Sequence, residues 1–184
     1  MRRLLFGALI ILSISLSAQD SVNADYIVRD RVLVSYRGRA QNVVIPPRLG
    51  INRIGERAFA GTPIQSVVIP MGVAFIDERA FMGCSFLKAV TLPNTIIRIG
   101  YRAFFNCFML ERINIPRSLH TIEDGAFYNC RSLVEVDLPD TLRSLGSRAF
   151  SGCIGLEQLS VSRRTQLGQH PFMGVRREAI IFKD

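Results

Sequence analysis

The residues of this 184-residue chain whose types invite chemistry are four cysteines, two histidines and a file of arginines. Cys84, Cys107, Cys130 and Cys153 follow one another at steps of 23. In an exported chain four thiols would ordinarily read as two disulfides. The even step argues otherwise. If each turn of chain stacks on the next, the thiols fall in a row ~4.8 Å apart, beyond the ~3.8 Å mean Cβ separation of a disulfide. A row cannot converge tetrahedrally on a metal ion either. Four buried free thiols and no metal are expected.

His120 and His170 have no consistent acid or nucleophile beside them, the serines are scattered, and no glycine-rich phosphate loop follows a strand. No enzymatic role and no cofactor are expected. Leu92-Pro93-Asn94-Thr95 and Leu138-Pro139-Asp140-Thr141 look like cell-wall sorting signals. Neither has the following glycine, apolar segment and basic tail.

Arg57, Arg79, Arg102 and Arg148 each stand two residues before a phenylalanine; His170 takes that position once more, and Gly125 interrupts the series. One reading is a solvated face, partly paired with Glu56 and Glu78. The other is an anion-binding stripe for sulfated glycan, lipopolysaccharide phosphate or an acidic protein, since arginine forks suit sulfate, phosphate and carboxylate. Nucleic acid is not expected, because the chain lacks aromatic stacking positions.

These residues are positioned by a repeat. Ala-Phe pairs end at Phe59, Phe81, Phe104, Phe127 and Phe150, with a degenerate sixth at Phe172. Prolines at Pro46, Pro70, Pro93, Pro116 and Pro139 keep the same period, and Ser162 takes the next slot. A unit such as Val136–Leu156 carries more apolar side chains than it can bury alone, so it needs copies stacked above and below. The chain is a solenoid. Alternation along each strand points Val43/Ile45, Val67/Ile69, Val90/Leu92, Ile113/Ile115, Val136/Leu138 and Leu159/Val161 inward. The residue between each pair points out: Val44, Val68, Thr91, Asn114, Asp137 and Ser160.

The ends differ from the array. Residues 1–18 carry Arg2-Arg3, an apolar run and small residues, the order of a secretory signal peptide. The run is short of the ~20 residues that span a membrane, so no stable membrane insertion is expected after its removal. About 160 residues remain, one domain by size. Setting Arg2 and Arg3 aside takes the basic side chains from 23 to 21 against 15 acidic ones. Residues 19–42 read as a capping hairpin, 43–162 as the repeats, and 163–184 as a degenerate last repeat and C-terminal cap, because a solenoid's end turns would otherwise expose its interior.

The pattern L-x-x-V-x-L-P-x-x-L-x-x-I-G-x-x-A-F-x-x-C-x-x-L resembles the BspA-like (treponemal-type) leucine-rich repeats. Leu87–Cys107 and Leu133–Cys153 match it nearly position for position, and the likeness runs over residues 25–175. The resemblance implies right-handed stacked coils, a curved parallel β-sheet on the concave face, and short turns or 3-10 segments on the return side, a strand-dominated fold. It also implies an exported, non-enzymatic surface protein, often one that binds host matrix or cell-surface proteins.

The concave face is then the expected contact surface, made by Val44, Val68, Thr91, Asn114 and Asp137 with Met71 beside them. Val44 and Val68 form an apolar patch that suits a protein or glycan partner or a second copy of the chain, unless the hairpin folds over it. The alternative is a structural or assembly component of the cell envelope with no ligand site.

Overall fold

The computed structural model describes residues 24–184. The expected signal segment 1–18 and residues 19–23 lie outside the described residues. Each coil opens on a short strand: Asn42–Val44, Ser66–Val68, Ala89–Thr91, Arg112–Ile113, Glu135–Asp137 and Gln158–Ser162. In the first five coils a proline follows, which has no N–H to extend the ladder. The chain turns into a second strand of two residues: Arg53–Ile54, Phe75–Ile76, Arg98–Ile99, Thr121–Ile122, Ser144–Leu145 and Gln166–Leu167. It then closes through the Ala-Phe turn. The return side thus carries strands as well as turns; the 3-10 segments are Pro47–Leu49 and Arg177–Ala179.

The second strands pair in parallel into one eight-stranded sheet, whose first two strands are the antiparallel hairpin Tyr26–Arg29 and Val32–Tyr36. Register never slips among the repeats: Val43 faces Val67, Val67 faces Val90, and Val90 faces Ile113. A slip of one residue would turn every apolar side chain to solvent, so burial specifies the pairing. The Ala-Phe turns add a third ladder. There Phe59, Phe81, Phe104 and Phe127 donate their N–H to the carbonyls of Ala80, Ala103, Ala126 and Ala149 at 2.7–2.8 Å.

All five Ala-Phe phenylalanines from Phe59 to Phe150 are fully buried. Their rings stack at 4.9–5.2 Å, within 13° of parallel. Tyr36 of the hairpin continues the stack onto Phe59 at 4.9 Å. Phe172, at the far end, is only half-buried. The inward strand residues are buried too, with Ile115 the half-buried exception.

A charge ladder crosses the second-strand face. Asp77 bridges Arg53 at 2.7 Å and Arg98 at 3.0 Å, and Arg98 reaches Glu123 at 2.8 Å. The Arg53 guanidinium sits 4.3 Å from the centre of the Phe75 ring. Alternating charge in register is what parallel stacking at one-repeat steps delivers when the repeats alternate basic strand and acidic turn.

The first-strand sheet is not continuous. Asn42–Val44 through Arg112–Ile113 form one four-stranded sheet, and Glu135–Asp137, Gln158–Ser162 and Ile180–Lys183 form a separate three-stranded one. Asn114 stands at the edge of the break. In the preceding coil Ile69 donates its N–H to the backbone carbonyl of Thr91 at 3.0 Å. One coil on, Leu92 N–H bonds instead to the Asn114 side-chain carbonyl at 2.8 Å, and Asn114 Nδ2 returns a bond to the Leu92 carbonyl at 2.8 Å. The amide takes the place of the Asn114 backbone toward Leu92, so the strand ends at Ile113; on its other side that strand does not pair with Glu135–Asp137.

Candidate functional site

Side chains between the inward residues point out where alternation puts them, with one exception. Val44 is 64% exposed, Val68 38% and Met71 68%. Thr91, Asn114 and Asp137 are exposed as well. Ser160 is buried. Its hydroxyl donates to the Asp137 carboxylate, and the C-terminal strand pairs directly beside it. Lys183, on that strand, donates to Asp137 at 2.9 Å and to the Leu138 carbonyl at 2.7 Å. The Ser160 bond and then the Lys183 ammonium hold the Asp137 carboxyl below its usual range. Asp137 is therefore tied to the closing strand, while at the other end Val44 and Val68 are neighbours across the sheet and Met71 is exposed in the turn after Pro70. The hairpin joins the second-strand sheet. It stacks on the end of the phenylalanine column and pairs with no first strand.

The break makes a groove of 680 Å³ lined by residues that include Arg112, Ile113, Asn114, Val134 and Glu135. Sequence reasoning took Asn114 for an outward contact residue of the concave face. Its type was the available signal, since asparagine readily bonds to neighbouring backbone. Only the position of Leu92 shows that it does.

The four cysteines are free and buried. Each thiol donates to the phenylalanine carbonyl of the coil before it, Cys84 to Phe59 at 2.9 Å and Cys107 to Phe81 at 3.1 Å, with Cys130 and Cys153 alike. Burial pushes the Cys84 thiol up to about 11 and those of Cys107 and Cys130 well above the ordinary value. Since the thiolate is the nucleophile, these are packing groups. Thiol titration of the folded protein is expected to find no reactive cysteine, and four after denaturation. Unchanged melting on adding reductant completes the test; native disulfides by mass would contradict it.

The arginine position carries an unexpected backbone. Arg57, Arg79, Arg102 and Arg148 have φ of +51 to +54°, and Gly125 and His170 share the left-handed conformation at +61 and +49°. A second left-handed column, four residues on, holds Gly61, Gly83, Asn106, Asn129, Gly152 and Gly174. Glycine and asparagine enter that region at little cost, whereas other residues lose ~1–2 kcal/mol. The first column accepts that loss five times, at its four arginines and at His170.

Its arginines are not equivalent. Arg57 lies 3.8 Å from Glu56 and Arg79 2.7 Å from Glu78. The residues preceding Arg102 and Arg148 are Tyr101 and Ser147, and among the described residues neither arginine has an ion pair. The column is thus half neutralised and half not.

Several known proteins share this architecture. A leucine-rich repeat protein of T. pallidum is 26% identical, with a TM-score of 0.70 over 85% of this chain and 82% of its own. A leucine-rich cell surface protein from Faecalibacterium prausnitzii is 26% identical, with a TM-score of 0.73 over 86% of this chain and 48% of its own. The pneumococcal vaccine antigen PcpA is 27% identical, with a TM-score of 0.54 over 65% of this chain and 31% of its own. This chain therefore spans about half of the second and under a third of the third. No curated protein matches it. Six copies of the BspA type leucine-rich repeat region match residues 52–177. With the phenylalanine column, the stacked two-strand coils and those six copies in register, the chain belongs to the BspA-type leucine-rich repeat family.

Proposed function

We propose that this is an exported, non-catalytic recognition protein that binds a protein partner through the N-terminal end of its first-strand face. The observation that carries the reading is the exposure of Val44, Val68 and Met71 together. Scattered apolar residues need no explanation, but a contiguous apolar patch marks a contact surface. The register supports it: Val44 and Val68 are direct neighbours across the sheet, so their side chains are about 4.8 Å apart. Support for a surface location comes from the Faecalibacterium relative, described as a cell surface protein. Among the described residues no helix is long and apolar enough to cross a membrane.

Val68→Asp tests the reading. The substitution is expected to weaken retention on immobilised extracellular-matrix proteins at least tenfold, about 1.4 kcal/mol, and to leave the melting temperature within a few degrees. Loss of folding would contradict the outward placement. A larger loss of binding for Asn114→Asp would move the contact to the groove. Concentration-dependent sedimentation that Val68→Asp abolishes would make the partner a second copy, and no binding in any form would favour a structural envelope role.

A further inference from the structure

We propose that the return face holds a separate site at Gly125 that binds one anionic sugar unit of an acidic glycan. The arginine column is interrupted there by the residue with no side chain. The gap leaves a cleft of 340 Å³ between Arg102 and Arg148, walled by Phe105 and Tyr128. That volume is at the low end for small-molecule sites, the scale of a single ring rather than an extended peptide.

Charge and shape favour an anion here over the other coils. Arg102 and Arg148 are the two members of the column without a carboxylate partner among the described residues. Arg102 is oriented all the same: its guanidinium lies 4.8 Å from the centre of the Tyr101 ring and 5.0 Å from that of Phe105. Rings hold a cation without neutralising it, which leaves its N–H fork for a sulfate or carboxylate. Phe105 is braced in turn by Tyr128, stacked at 5.0 Å. Arg148 keeps a left-handed backbone at φ +54°, a conformation that glycine or asparagine would adopt more cheaply.

The rest of the lining points to a sugar rather than a bare anion. Asp124 also borders the cleft, and one of its carboxylate oxygens accepts the Ser147 N–H at 2.7 Å. A small inorganic anion would be repelled by that carboxylate. Sugar hydroxyls would donate to it while the anionic substituent meets the arginines, and the C–H faces of the ring would pack on the aromatic wall.

Gly125→Arg gives a test in which charge and geometry predict opposite results. The backbone can accept it, because four coils already place arginine at this position with φ near that of Gly125. The variant adds a positive charge but fills the cleft; a Cβ at 125 already comes within 3.4 Å of the Arg102 side chain. The probe is a size-defined sulfated hexasaccharide prepared from heparin, titrated calorimetrically into the intact protein.

Binding is expected to weaken at least tenfold in Gly125→Arg and in Arg148→Gln, and to change less than twofold in Arg57→Gln. Arg148 is exposed, so its variant gives a reading even if Gly125→Arg fails to fold. Tighter or unchanged binding by a folded Gly125→Arg would overturn the site in favour of diffuse charge. So would equal losses in Arg148→Gln and Arg57→Gln, equal binding of an uncharged hexasaccharide, or no binding by the unaltered protein. Val68→Asp is expected to leave this binding unchanged, so the two faces stand or fall separately.

Discussion

Phe127→Ala is expected to lower the free energy of unfolding by ~3–5 kcal/mol, the range for deleting a large buried aromatic side chain. For a domain of this size that corresponds to a fall in melting temperature of roughly 6–20 °C. The cause lies on both sides of the ring. Phe127 stacks on Phe104 at 5.2 Å and on Phe150 at 4.9 Å, so its removal leaves a cavity in the middle of a column with no outer coil free to collapse into it. Phe172→Ala, made in a half-buried ring at the end of the array, is expected to cost much less. Equal losses in thermal and denaturant unfolding would mean that the column is not the continuous core described here. A repeat array also distributes stability between neighbours. Phe127→Ala is therefore expected to increase amide exchange first in the coils ending at Phe104 and Phe150.

Gly146→Ala is expected to cost ~1–3 kcal/mol, the scale of overpacking, although it adds one methyl group. The Gly146 N–H bonds to the Ile122 carbonyl at 2.7 Å. A Cβ there would stand 2.4 Å from the Asp124 backbone nitrogen and 2.4 Å from the Glu123 carbonyl carbon. Both contacts are with backbone of the previous coil, so relief requires the two coils to separate and the second-strand sheet to loosen. Gly61→Ala makes the informative comparison. Its Cβ would meet nothing within 4 Å, but its φ is +68°. Any loss there reports backbone strain alone. A neutral Gly146→Ala in denaturant titration would show that the coils are not in the close contact that this sheet requires.

Much of this architecture was legible because a stacked repeat converts position in sequence into position in space. The step from Phe81 to Phe104 and from Cys84 to Cys107 is one coil, and the backbone hydrogen bonds along the phenylalanine column repeat it. Burial of the phenylalanines and the free state of the thiols followed from that translation. The outward register of Val44 and Val68 followed from strand alternation, which has the same local origin. The second strands on the return side were less legible. Two-residue strands such as Arg98–Ile99 are too short to show alternation, and they exist only because the neighbouring coil supplies their partners.

Three features required the fold. At the edge of the sheet break the Asn114 amide turns to Leu92 rather than to water, and its type permits both. Ser160 is buried because the C-terminal strand pairs beside it, with Ile181 opposite, a contact outside the repeat translation. Partial pairing of the arginine column with Glu56 and Glu78 could be read from sequence; that the Arg102 guanidinium lies against the rings of Tyr101 and Phe105 could not. Translation along the solenoid axis is set by backbone bonds that recur from coil to coil in the second-strand sheet, so one repeat suffices to read it. The direction a long side chain takes is set by whatever stands in the adjacent coil, and that is known only when the coils are stacked.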